Sequence, residues 1–285
     1  MSIDNQIVIR FSPEHWGKVD RFISFYLLSN SLIPRHRQAI EGVANHFHKA
    51  RRLLDVAEAI APKIAEDRAE LEKNGHTGGR RSLEFTAVME SAVTALYSSV
   101  DCARKTLNIV YPKAQGLPES TRKLFQNAEN DKIDNLIPVS IRSALKNAKW
   151  FMPLRVLRDA LTHTNTGSCH LDEDSGEIRY FSDAVKAISG KGHIDNFMHY
   201  VLSVRDEINR FLGIVFAELN KCLDDSEVWQ MCGFFYGRVY HRFVRPNEAV
   251  DFNSGRCGAH EWFDLEENPT CPFVASCGAY QNKET

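Results

Sequence analysis

Residues 81–111 read RSLEFTAVMESAVTALYSSVDCARKTLNIVY, and their spacing decides the fold class. Phe85, Val88, Met89, Val93, Leu96, Val100, Leu107 and Val110 recur at steps of three and four, the repeat of one helix face, and Pro112 stops the pattern. Downstream, Ile194, Phe197, Met198, Val201, Ile208, Phe211, Leu212, Val215, Leu219 and Cys222 repeat the same rhythm. Upstream, Ile40, Val43, Phe47, Leu53, Leu54, Val56 and Ala57 set a helix over 34–74, with Pro62 predicted to kink or split it because proline lacks the N–H an inner turn needs. Gly75 to Gly79 reads as a linker.

Between these long stretches, a shorter helix is expected from Leu117-Pro118-Glu119 to about Asn127, and another from Ile137-Pro138 toward Asn165, with Pro153 as a potential interruption. Near the start, Gln6–Phe11 reads as a short strand and Ser12-Pro13-Glu14 as a helix start, followed by Trp16, Val19, Phe22 and Ile23 on one face. Asp172 to Gly176 between short apolar pieces reads as a hairpin turn. Residues 227–245, rich in aromatics, are open between helix and strand. The expected class is all-α, a helical bundle with a small irregular C-terminal appendage, divided as 1–79, 80–222 and 223–285.

The chain of 285 residues carries 35 basic and 37 acidic side chains, so bulk positive charge does not make it a nucleic-acid coat. The balance is uneven: residues 1–222 hold 30 basic and 27 acidic side chains, residues 223–285 the other 5 and 10. The densest positive run is 137–165, where Arg142, Lys146, Lys149, Arg155 and Arg158 face only Asp159. Arg142, Lys146 and Lys149 would form one helical stripe suited to phosphate, with a solvated helix face as the plain alternative. Seven cysteines, an early acidic residue and no apolar leader predict a reducing, cytoplasmic setting, and no apolar run approaches a membrane span. Phosphate-loop, dinucleotide-binding and serine-hydrolase motifs are missing.

The chemistry-bearing motif is LRDALTHTN, with Arg158, Asp159 and His163 in the order R-D-x-x-x-H. On these residues, late in a helix and between two long helices, the sequence resembles the HEPN superfamily. Its members are small all-α domains whose active forms share R-x(4–6)-H with a polar residue after the arginine. The resemblance spans roughly 80–222. It implies a metal-independent endoribonuclease with RNA as partner, a homodimeric site, no catalytic cofactor, and, by association, a toxin or antiviral defence role with a regulatory protein partner. A histidine can move a proton on or off the ribose 2′-hydroxyl, and a guanidinium can hold the phosphorane charge. Asp159 and His163 share a helix face, so the carboxylate could orient the imidazole. Arg158 and His163 lie about 140° apart around a helix, so one straight helix does not join them. The helix would loosen near Thr162, Arg158 would reach round, or, as the resemblance implies, two copies would meet. Thr164 and Asn165 are candidate caps or substrate contacts. The inert alternative pairs Arg158 with Asp159 and leaves His163 as a helix cap. The rival function is a non-catalytic dimeric module that binds RNA or a protein.

In the tail, Cys257, His260, Cys271 and Cys277 form C-x2-H-x10-C-x5-C, a candidate structural Zn²⁺ set with Trp262, Phe263 and Phe273 as apolar company. Unligated cysteines are the alternative. Cys102, Cys169, Cys222 and Cys232 lack paired spacing and read as buried hydrophobes, and His46 and His48 as boundary residues.

Overall fold

A computed structural model of the chain describes residues 8–9, 17–163, 165–248 and 253–282, with backbone alone at 8–9, 187 and 189. Val8–Ile9 forms β1, inside the strand expected at 6–11, while the helix start at Ser12–Glu14 and the side chain of Trp16 lie outside the described residues. α1 (Lys18–Ser29) buries Val19, Phe22 and Phe25. α2 (Pro34–Ile60) and α3 (Ile64–Asn74) are parted by a turn of 3-10 helix at Ala61–Lys63, so Pro62 divides the element as its chemistry demands.

α4 (Arg80–Val110) is the element that the opening stretch encodes. Phe85, Met89, Val93, Leu96, Val100 and Leu107 are buried on it, and Val88 and Val110 are half-buried. Its main partner is α2. α5 (Thr121–Glu129) begins three residues later than Pro118 suggested, because the Ser120 hydroxyl accepts the Lys123 N–H and makes the cap.

The single helix expected over 137–165 is two, α6 (Val139–Lys146) and α7 (Phe151–His163). The break falls at Asn147–Trp150, where Lys149 N–H bonds Asn147 O at 2.8 Å and Phe151 N–H bonds Ala148 O at 3.0 Å. Pro153 does not interrupt anything, since it sits in the first turn of α7, where a missing N–H costs no helical bond.

The all-α expectation is corrected by two antiparallel sheets. β2 (Ser168–Leu171), β3 (Ile178–Phe181) and β4 (His193–Ile194) form one in the order β2-β3-β4, with the Asp172–Gly176 turn where the sequence placed it. A short α8 (Lys186–Ser189) intervenes, and α9 (Phe197–Leu219) follows. The open stretch is a hairpin: β5 (Val228–Phe235) and β6 (Arg238–Val244) turn tightly at Tyr236-Gly237, both at positive φ of 51° and 72°. With β7 (Arg256–Cys257) they complete a sheet ordered β1-β5-β6-β7, and α10 (His260–Phe263) and α11 (Gly278–Gln281) follow. The protein is therefore mostly helical but mixed, and its C-terminal segment is built around a sheet rather than irregular.

The chain divides into two compact units. One, residues 34–215, holds α2, α4 and most of α9, with α2 packed on α4. Asp67 on α3 accepts the backbone N–H groups of Arg81 at 3.0 Å and Ser82 at 2.8 Å, which ties α3 to α4 and keeps the glycine linker within this unit. The other joins segments 1–33 and 216–285; in it Phe22 meets Phe216 edge-on at 5.5 Å and Phe25 packs with Val244. The divisions expected at residues 79 and 222 thus differ from those of the two units. Among the described residues, no helix is long and apolar enough to cross a membrane.

Candidate functional site

α7 carries the Arg/His motif. Its buried Phe151, Leu154 and Leu157 seat it against α4, and Phe151 stacks on Phe125 of α5 with ring centres 3.7 Å apart. This anchoring turns Arg155, Arg158 and Asp159 toward the half-buried margin. Asp159 Oδ1 lies 3.0 Å from Arg158 Nη1, and Oδ2 lies 3.0 Å from Arg155 Nη2. The Arg158 guanidinium also covers the Tyr97 ring on α4 at 4.4 Å. Burial pushes the Tyr97 phenol above its ordinary range, and the Arg158 charge opposes that push.

His163 is the last residue of α7 and exposed; its side chain makes no hydrogen bond or ion pair with the described residues. Asp159 is therefore committed to two arginines and does not orient the imidazole. The helix does not loosen at Thr162, whose hydroxyl donates to Arg158 O at 2.9 Å; the wider closure comes after His163, where Asn165 N–H bonds Ala160 O at 3.2 Å. Thr164 lies outside the described residues. The Arg158–Asp159 pair and the terminal place of His163 are also what the inert alternative requires.

The chain beyond the motif is fixed by α4. Glu90, buried on that helix, accepts the Gly167 N–H at 2.7 Å and the Tyr180 hydroxyl at 2.8 Å. A Cβ at Gly167 would come within 2.3 Å of the Tyr180 ring, so only glycine fits this step from α7 into β2.

The basic residues do not form one stripe. Arg142 on α6 bonds Ile137 O at 3.1 Å, and Lys146 reaches both oxygens of Asp131 at 2.7 Å. Lys149 lies in the break between helices and is exposed. Arg155 belongs to the Asp159 cluster. Tyr97, the aromatic platform of that cluster, was missed by the sequence reading, which took its helix for core.

The tail forms a second candidate centre. None of the seven cysteines forms a disulfide. Cys257, Cys271 and Cys277 line one small cavity, joined there by Cys232 of β5 and Arg242 of β6. His260 is not among the residues lining it; its Nδ1 lies 3.0 Å from Asp264 and its ring stacks on Tyr280. Trp262, Phe263 and Phe273 do pack beside the cavity, as expected. Among the described residues, no three His, Cys, Asp or Glu side chains are placed so as to hold a metal ion. Cys232 and Arg242 could not be found from spacing, since strand pairing rather than sequence proximity delivers them.

Compared with known proteins, the chain matches no family model, no curated protein and no solved structure.

Proposed function

We propose that the protein is a metal-independent endoribonuclease of the HEPN type, acting as a homodimer. In this reading His163 moves the proton of the ribose 2′-hydroxyl and Arg158 offsets charge on the phosphate. Asp159 fixes the guanidinium groups of Arg155 and Arg158, and does not act on the imidazole. The observation that carries the reading is the uncommitted, exposed imidazole of His163 on the same short helix as a guanidinium already held in place by a carboxylate and an aromatic ring. Their separation around the helix suits a site completed by a second copy of α7. Lys149, exposed in the preceding turn, offers a contact for the RNA backbone.

Purified protein is expected to cut single-stranded RNA in the presence of EDTA. His163→Ala should slow cutting by about 100- to 10,000-fold, the range for loss of a proton-transfer group, without lowering the melting temperature. Cleavage that survives in His163→Ala would sink the assignment. The commitment of Asp159 to arginines favours one other reading, a binding module without catalysis. RNA retention without cleavage in the wild type, weakened by Lys149→Glu, would select it.

A further inference from the structure

Four cysteines from four places in the sequence face one cavity: Cys232 on β5, Cys257 on β7, Cys271 in the following loop, and Cys277 before α11. Two of the sulfurs share a side-chain donor: Arg242 Nη2 lies 3.6 Å from Cys232 Sγ and 3.4 Å from Cys277 Sγ. Arg242 is only 1% exposed, and beside the two sulfurs its Nη1 donates to Ser254 O at 2.9 Å, so the guanidinium is held in the interior at the edge of the thiols.

A neutral thiol is a poor acceptor, so two of them add little to hold the Nη2 end of the guanidinium where it stands. A thiolate is a strong acceptor, and N–H groups aimed at sulfur are what a metal–thiolate centre needs around its ligands. The strand irregularity fits as well. The β5–β6 register shifts between Met231 and Gly233, so the skipped residue is Cys232, and bulges of this kind re-aim a side chain.

We infer that Cys232, Cys257, Cys271 and Cys277 bind one structural Zn²⁺, with Arg242 as the hydrogen-bond donor to two of its thiolates. Binding draws the four sulfurs inward from the cavity wall into a tetrahedron. The zinc with four thiolates carries a charge of −2, and the guanidinium offsets part of it inside the protein. A full set of four ligands leaves no open position, so the ion holds β5, β7 and the C-terminal turns together and performs no hydrolysis. His260 is excluded from the ligand set, in contrast to the C-x2-H spacing. This site is independent of RNA cleavage.

The test is metal analysis of the full chain produced in zinc-supplemented medium. About one zinc per chain is expected, falling close to zero in Cys232→Ser and unchanged in His260→Asn. Zinc-free wild-type protein, full zinc in Cys232→Ser, or zinc lost from His260→Asn would each overturn the proposal. Because Cys232→Ser could fail to fold, X-ray absorption on the wild type supplies a second measurement. Four sulfurs at about 2.3 Å support the set, whereas a nitrogen at about 2.0–2.1 Å in place of one sulfur refutes it.

Discussion

Asp159 has two candidate partners at helical reach, Arg155 four residues before it and His163 four after. Reading forward, the sequence suggested the imidazole; the fold chose the arginines, because an always-charged fork next to a carboxylate outcompetes a histidine at an exposed helix end. The motif residues themselves were legible, since their chemistry travels with their identity. Their pairing was not, since it depends on which rotamers the α4 surface, with Tyr97, leaves available. Asp67 shows the same limit: an acidic residue in a charged helix reads as solvated, yet it is buried. Burial pushes its carboxyl up, but the N–H groups of Arg81 and Ser82, the Ser82 hydroxyl and the Arg81 charge outweigh this and hold it below the ordinary range. Its folded pKa lies under its unfolded one, so its contribution is complete above about pH 4 and fades as pH falls through the lower folded value. Asp67→Asn should therefore cost about 1–3 kcal/mol at pH 7, and the gap from wild type should narrow by pH 3, measured by urea unfolding. An equal gap at both pH values would contradict the role given to its charge.

Elements whose limits are covalent were the ones the sequence revealed. Pro62 divides α2 from α3, and Asp172–Gly176 turns β2 into β3, because missing donors and tolerated turn geometries are local properties. The break between α6 and α7 has no glycine or proline to mark it, and the proline nearby misdirected the reading. The β5–β6 hairpin stayed ambiguous for a definite reason: the irregularity at Cys232 interrupts the two-residue alternation that identifies a strand. Its Tyr236-Gly237 turn was present in the letters, and it makes a clean test. A Cβ at Gly237 would meet nothing within 4 Å, so Gly237→Ala probes the positive φ alone. It should cost about 1 kcal/mol in chemical denaturation of the segment carrying β5 and β6, and no loss would mean the turn re-forms with another geometry.

At the scale of the molecule, the charge division first seen in composition runs with structure, since the acidic stretch supplies β5–β7 and the thiol-lined cavity. The joining of segments 1–33 and 216–285 was not legible, because neither carries a repeat or motif that announces the other. Removing residues 224–285 should speed amide exchange in α1, which loses the Phe25–Val244 contact, while α4 keeps its protection. Exchange that rises in both would show a single cooperative body. The pairing of β1 with β5, Val8 opposite Phe234, also sets a schedule during synthesis. The ribosome makes Val8 226 residues before Phe234 (234 − 8). At ~5–20 residues per second, the wait is on the order of ten seconds or more. Throughout that interval Phe22 and Phe25 lack Phe216 and Val244, against which they pack in the fold, so a chain arrested there displays an apolar segment open to chaperones and proteases.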